Sequence, residues 1–378
     1  MRAKSLSLFA AMLIVACAVP AAIGQGGVPA AKSLFQVAEL TATDAQSLSS
    51  IGFSVAASGN TVVVGAPGGS SDETGFVPGA VYVYVKPANG WGNMTQVAKL
   101  TPSDASNTDG FGAYVAIQRN TIVTDSNFSE IYVFVEPAGG WANMTETALL
   151  KDGSGHCLCG QVAFNGNTIA VGSPIQGERN IGSIQVFTEP AAGWQNASKP
   201  NANLTQVEGE YGDQSFHSVA MSGGTIVGED IVCGVVNCEY HIFLFNKPAG
   251  GWKGQLTPTA TLSSTQSLNY FTAGQVSISG NTVVAGSPSP NLTFFPPGFV
   301  DVWVEPAGGW TDMTETAQLS DGNTTFADEF GIAAAVSGNT IVVGTPAAIA
   351  VKEREFVSRG GLRFRRTGGR MADDEHVQ

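Results

Sequence analysis

Four histidines, five cysteines and 18 basic residues are all that this 378-residue chain offers of those types. The histidines (His156, His217, His241 and His376) are scattered, and no His-Glu-x-x-His, no Gly-x-Ser-x-Gly and no glycine loop leading into a helix occurs. The common metalloprotease, hydrolase and nucleotide-binding arrangements are therefore not readable here. Carboxylates that stand close in sequence, Glu208 with Glu210 and Asp213 or Asp328 with Glu329, are the remaining acid–base material, and nothing in their spacing puts them in one cleft. The expectation is a non-enzyme. With 31 acidic residues against 18 basic ones the net charge is −13, which sets the chain against nucleic acid and anionic membrane surfaces.

Long apolar runs are also missing. Residues 5–16 form a mostly apolar stretch behind Arg2 and Lys4, followed by Ala22-Ile23-Gly24, the layout of a secretory signal peptide and too short to span a bilayer. The expected organisation is a signal peptide over 1–24, a short linker over 25–34, a repeat domain over 35–350 and an atypical basic segment over 351–378. A rival reading takes Ile14-Val15-Ala16-Cys17 as a lipoprotein processing site with Cys17 acylated. Both readings place the chain outside the cytoplasm, secreted or at a surface or periplasm, with no transmembrane span.

In such a compartment disulfides form. Cys233 and Cys238 flank four residues of a hairpin loop and are expected to be bonded. Cys157 and Cys159 are separated only by Leu158: a strained or redox-active pair, or bonds to Cys233 or Cys238, all remain open, while a zinc site lacks its fourth ligand and second pair.

What the chain has in quantity is glycine, 47 residues, arranged in a repeat. A Ser-Gly-Asn-Thr turn, a Val-Val-Gly-Ala-Pro run, a Val-Tyr-Val-Phe strand and Pro-Ala-Gly-Gly-Trp recur. The turn threonines Thr61, Thr121, Thr168, Thr225, Thr282 and Thr340 lie 60, 47, 57, 57 and 58 residues apart. Each repeat holds four short segments rich in Val, Ile, Tyr and Phe, bounded by turn residues, and four strands at this period make a propeller blade. The fold expected is all-β, a β-propeller of about six four-stranded blades. Phe53 opens the clearest copy. Gly59-Asn60 and its counterparts should supply the positive φ angles of two-residue hairpins, with Arg119-Asn120 the costlier pair. Residues 35–41 resemble the fourth strands and are expected to close the last repeat. That repeat loses its pattern after Pro346. Leu362-Arg363-Phe364-Arg365 alternates as a third strand would, and seven blades are the alternative if the C-terminus is truncated.

The tryptophans Trp91, Trp141, Trp194, Trp252 and Trp310 recur once per repeat, either as plugs between blades or as sugar-stacking platforms. Asn93, Asn127, Asn143, Asn196, Asn203, Asn291 and Asn323 each begin an Asn-x-Ser/Thr triplet, and their recurrence marks several as products of the repeat. His217 lies in a strand, where a structural role is expected.

Phe111-Gly112 and Phe330-Gly331, with Gly65-Ala66-Pro67, Gly172-Ser173-Pro174, Gly286-Ser287-Pro288 and Gly344-Thr345-Pro346, resemble FG-GAP repeats. The resemblance implies the β-propeller found in integrin α-chain ectodomains and in secreted bacterial proteins. Calcium-binding members carry an Asp-x-Asp-x-Asp-Gly loop between the first and second strands, where this chain has only a two-residue turn, so no such site carries over. Oxygen-rich segments lie elsewhere: Asp104, Asn107 and Asp109, then Asp321, Asn323 and Asp328, are the candidate calcium ligands. Otherwise no cofactor is expected. The function expected is binding or adhesion by a monomer whose inter-strand loops at one face take an extracellular protein or carbohydrate; the alternative is a polysaccharide lyase or hydrolase on the same scaffold.

Overall fold

The structure, a computed structural model, describes residues 36–46, 48–71, 75–104, 110–126, 130–153, 157–174, 182–205, 214–233, 238–266, 274–288, 298–320, 329–345, 355–357 and 363–367. Among them every regular element is a strand, and no helix is long and apolar enough to cross a membrane. The fold is all-β, assembled from four-stranded blades of the propeller type. Two compact units are present, Met1–Ser126 with Tyr132–Thr147, and Asn127–Ile131 with Ala148–Gln378.

The first unit holds blade one, ordered Ser54–Ser58, Thr61–Ala66, Ala80–Val85, Ala98–Leu100 and antiparallel throughout. It also holds the antiparallel pair Val115–Gln118 and Thr121–Asp125 of blade two. The second unit holds blade three (Val162–Asn165, Thr168–Ser173, Ser183–Thr188, Ala202–Leu204), blade four (Gln214–Ser222, Thr225–Cys233, Cys238–Asn246, Ala260–Ser263) and blade five (Val276–Ser279, Thr282–Ser287, Phe299–Val304, Ala317–Leu319). Blade six starts the same way, with Ala334–Ser337 against Thr340–Gly344. Its third place is taken by Arg363–Thr367, close to the alternating segment expected there. That strand runs parallel to its neighbour, with Glu355–Val357 outside it, because the chain takes a long connection after Gly344 and returns in the same direction.

Two-residue turns set the register of each first hairpin. Ser58 pairs with Thr61, Asn165 with Thr168, Ser222 with Thr225 and Ser279 with Thr282. Gly59, Gly166, Gly223, Gly280 and Gly338 take φ between +53° and +65°, and Arg119 takes +54°, but the asparagines that follow do not have positive φ. This is the turn with one positive φ at its first position rather than the form needing two. Asparagine contributes its carbonyl instead. The N–H groups of Lys86, Glu136, Glu189 and Glu305 donate to the carbonyls of Asn60, Asn120, Asn167 and Asn281, each at 2.8 Å, ending the third strands of blades one, two, three and five alike.

The Phe-Gly place of blade one is filled by Ile51-Gly52, not by Phe53. Gly52, Gly112 and Gly331 have φ +91°, +93° and +96°, and each donates its N–H at 3.1 Å to the second strand of its own blade, to Gly65, Asp125 and Gly344. Ile51 joins the blade-one core, whereas Phe53 is 64% exposed.

Neighbouring blades within a unit are tied at both edges. On the inner edge serine hydroxyls accept from the next first strand: Ser54 from Val115 N–H and Ser58 from Arg119, then Ser218 from Val276, Ser222 from Gly280 and Ser279 from Gly338. On the outer edge a fourth strand pairs in parallel with the segment that opens the next one. Leu40–Thr41 pairs with Met94–Thr95, Ala202–Leu204 with Gly254–Leu256, and Leu262–Ser263 with Met313–Thr314. Residues 40–41 thus pair at a seam as a fourth strand does, but the expected closure of the last repeat by this segment is not seen: among the described residues the blade-six sheet consists of Ala334–Ser337, Thr340–Gly344, Arg363–Thr367 and Glu355–Val357.

Side chains of the Asn-Met-Thr-Glu repeat lock the seam. Asn93, Asn143 and Asn196 accept through Oδ1 from the N–H of Glu39, Lys99 and Leu149 at 2.8 to 2.9 Å. Asp312 does the same for Thr261. Gln96, Glu146 and Glu315 then accept from the N–H of Thr43, Ser103 and Thr265. A glycan acceptor motif thus recurs because the blades need an oxygen there, and aspartate serves equally. Asn203 sits within its strand, paired with Gln185; Asn127, Asn291 and Asn323 lie outside the described residues.

The apolar core lies between successive sheets. Trp252 of blade four packs with Ala170, Ile184, Val186 and Leu204 of blade three, and Trp310 of blade five with Leu244, Ala260 and Leu262 of blade four. At 4% to 8% exposure, Trp141, Trp194, Trp252 and Trp310 are plugs with covered faces, which removes them as sugar platforms; Trp91 is half-buried against blade one.

Candidate functional site

Antiparallel order divides the connections of a blade between its two ends. The first-to-second and third-to-fourth connections share one end, and they are the constant ones: the Gly-Asn turn, and the Pro-Ala-Gly-Gly turn in which Gly90, Gly140, Gly193, Gly251 and Gly309 donate to the carbonyl of the proline three residues back. The second-to-third and fourth-to-first connections share the other end. There the blades differ. Blade one carries a small hairpin, Gly69–Ser71 against Gly75–Val77, with Phe76 48% exposed. In blade four, nine-residue strands extend as a ribbon whose last pair is Cys233 opposite Cys238. The expected bond between them falls on side chains outside those described, as do the connections 105–109, 175–181, 206–213, 267–273, 289–297 and 321–328.

Carboxyl groups with phenol partners stand near the variable ends. In the first unit Asp44 accepts from the Tyr82 hydroxyl at 2.9 Å and pairs with the Lys99 ammonium. Burial pushes the Asp44 carboxyl up, but Lys99 and Tyr82 outweigh it and hold the group below its ordinary range. The same burial, with Asp44 beside it, raises the Tyr82 phenol. Asp104 repeats the motif, accepting from Tyr132 at 3.1 Å. This candidate calcium ligand is thus engaged with a phenol; Asn107, Asp109, Asp321, Asn323 and Asp328 lie outside the described residues, as do Glu208, Glu210 and Asp213. Among the described residues no group of three His, Cys, Asp or Glu side chains could hold a metal ion.

Three further carboxylates, Asp125, Glu229 and Asp301, were not singled out from sequence. Asp125 and Glu229 stand where other blades have Gly65, Gly172 and Gly286, breaking the Val-Val-Gly-Ala-Pro run. Asp125 Oδ1 accepts from Tyr114 N–H at 2.8 Å, and Glu229 Oε1 from Ser218 N–H at 3.0 Å. The replaced glycines have no room for a side chain: a Cβ on Gly172 would lie 1.9 Å from the Phe216 carbonyl oxygen, and one on Gly286 1.7 Å from that of Gly331. In blades two and four a carboxylate stands there instead and accepts an N–H from the first-strand segment of its own blade. Glu229 is 1% exposed, and its other oxygen accepts from Tyr240 at 3.3 Å. Burial raises its carboxyl to about 8. Asp301, 1% exposed, is raised by burial to about 6, with Gln318 and Ser264 pulling the other way.

Of the histidines, His217 and His241 are described, both in blade four. His217 gives its backbone carbonyl to Gln161 N–H at 2.7 Å, and the His241 ring lies 3.2 Å from Ser263 Oγ and beside Phe243. Cys157 and Cys159 are bonded to each other, which decides among the pairings left open for them.

Residues 34–84 and 94–129 match the family described as the FG-GAP repeat. No curated protein matches the chain. Among solved structures it is similar to BamB from Moraxella catarrhalis, at 11% identity and TM-score 0.37, covering 78% of this chain and 68% of that one. It is also similar to prolyl oligopeptidase B from Galerina marginata, at 10% identity and TM-score 0.34. That match covers 82% of this chain and 37% of the other, so the chain spans little more than a third of that protein.

Proposed function

We propose, from the premise that the chain carries FG-GAP repeats on a propeller scaffold, that it is a secreted or surface-borne binding module acting without turnover. The variable ends of its blades take an extracellular protein or a carbohydrate. One observation carries this reading: the framework is repeated bond for bond at the constant end, while blade-specific structure is concentrated at the other. Repetition at one end is what stable assembly requires, and divergence at the other is where recognition is free to specialise.

Retention of the full chain on a panel of soluble and insoluble polysaccharides and on extracellular matrix proteins tests the proposal, with new reducing or unsaturated ends assayed in the same tubes. Retention without cleavage, lost when Ser289 to Gly298 is replaced by a short turn that leaves the melting curve unchanged, is the expected result. Cleavage that disappears in carboxylate variants would replace the binding module by a polysaccharide-active enzyme. Unchanged retention in the loop variant would move the site off that connection.

A further inference from the structure

We propose that Cys157 and Cys159, in the fourth-to-first connection between blades two and three, form a thiol–disulfide exchange site, a redox activity beyond ligand binding. A bond closing a loop of only three residues constrains the unfolded chain least of all crosslinks, since the stabilisation grows with the length of the loop. The segment does not need the bond to keep its place either. Ser173 Oγ donates to the Cys157 carbonyl, and Gly160 N–H donates to the Gly172 carbonyl at 2.9 Å. Gln161 N–H donates to the His217 carbonyl at 2.7 Å, and Leu158, between the two cysteines, is fully buried.

Blade two shows the segment without sulfur. There Gly112 N–H donates to the Asp125 carbonyl, with Phe111 buried ahead of it. The backbone around the pair is thus held by bonds that survive reduction, with the Cα atoms 5.2 Å apart, inside the usual range for bonded cysteines. Both cysteines are half-buried rather than sealed. A pair that stays positioned when open and can be reached from solvent is suited to opening and closing repeatedly.

The step conserves atoms and electrons. A thiolate of a dithiol substrate attacks one sulfur of the pair and forms a mixed disulfide; the Cys157–Cys159 bond breaks, and its electron pair leaves on the other sulfur, which takes a proton from solvent. The second substrate thiol, losing its proton to solvent, attacks the mixed disulfide. The substrate leaves oxidised and both cysteines remain reduced. A low-molecular-weight disulfide such as oxidised glutathione restores the bond by the reverse sequence.

The test equilibrates the full chain with graded mixtures of reduced and oxidised glutathione. Acid quenching and alkylation then allow the Cys157–Cys159 peptide to be quantified by mass spectrometry, with circular dichroism read on the same samples. The bond is expected to pass from closed to open within the series while the β signal stays constant. The oxidised chain should oxidise a dithiol peptide, and a C157S/C159S variant should do so about tenfold more slowly or not at all, whereas C233S/C238S keeps the rate. A bond that opens only in denaturant, a β signal that falls as it opens, or full activity in C157S/C159S would each overturn the assignment.

Discussion

At the scale of single residues, space and proton affinity decide more than hydrophobicity. Gly172→Ala and Gly286→Ala put a methyl group into a backbone carbonyl of the next blade, and each is expected to cost about 3 kcal/mol or to prevent folding. Gly166→Ala meets only the penalty of φ +65° with nothing within 4 Å, about 1 kcal/mol. Urea midpoints separate the two cases, and equal losses would refute the close approach. Glu229 gives a signed pH effect. Its carboxyl titrates near 8 in the folded chain against an ordinary value of 4.5. Between those values the folded state holds a proton that the unfolded state has released, so stability is full below the ordinary value and falls as pH rises through the folded one. Asp301, raised to about 6, adds a fall of the same sign at lower pH. Glu229→Gln can still accept from Ser218 N–H and bond Tyr240, and it should flatten the decline in melting temperature between about pH 5 and pH 9; an unchanged slope would place the proton elsewhere.

At the scale of elements, the seam between blades rests on oxygen atoms projected from the outer segment. Asn143→Ala removes the acceptor for Lys99 N–H and is expected to cost about 1 kcal/mol. Asn143→Asp should be nearly neutral, since Asp312 already fills that role for Thr261. A chemical denaturation series on the two variants checks this, and equal losses would show that the amide nitrogen, not the oxygen, matters. Trp252→Ala empties the seam against blade three and should cost about 3–5 kcal/mol. The strands, the two-residue turns and the plugging role of tryptophan were legible in the sequence because each depends on local spacing. The seam was not. Asn93 and Asn143 look like glycan acceptors along the chain, and only the parallel pairing of distant segments reveals what their oxygens hold.

At the scale of the whole molecule, a net charge of −13 sits on a scaffold that also buries Asp125, Glu229 and Asp301. Self-repulsion on that scale is screened by salt. The melting temperature at neutral pH is therefore expected to rise between about 10 mM and 300 mM sodium chloride, and a fall would show that attractive pairs such as Lys99 with Asp44 outweigh the repulsion.

The sequence by itself determined the all-β class, the four-strand blade, the positive-φ glycines and the division between constant and variable connections, because all of these follow from a repeat read at short range. Tertiary structure alone decided that Ile51-Gly52 and not Phe53 opens blade one. It also decided that Arg363–Thr367 enters its sheet in parallel, that Cys157 bonds Cys159, and that Asp125 and Glu229 occupy places where glycine is otherwise compressed. Each of these depends on how closely one blade or strand approaches another, a distance that no spacing along the chain encodes.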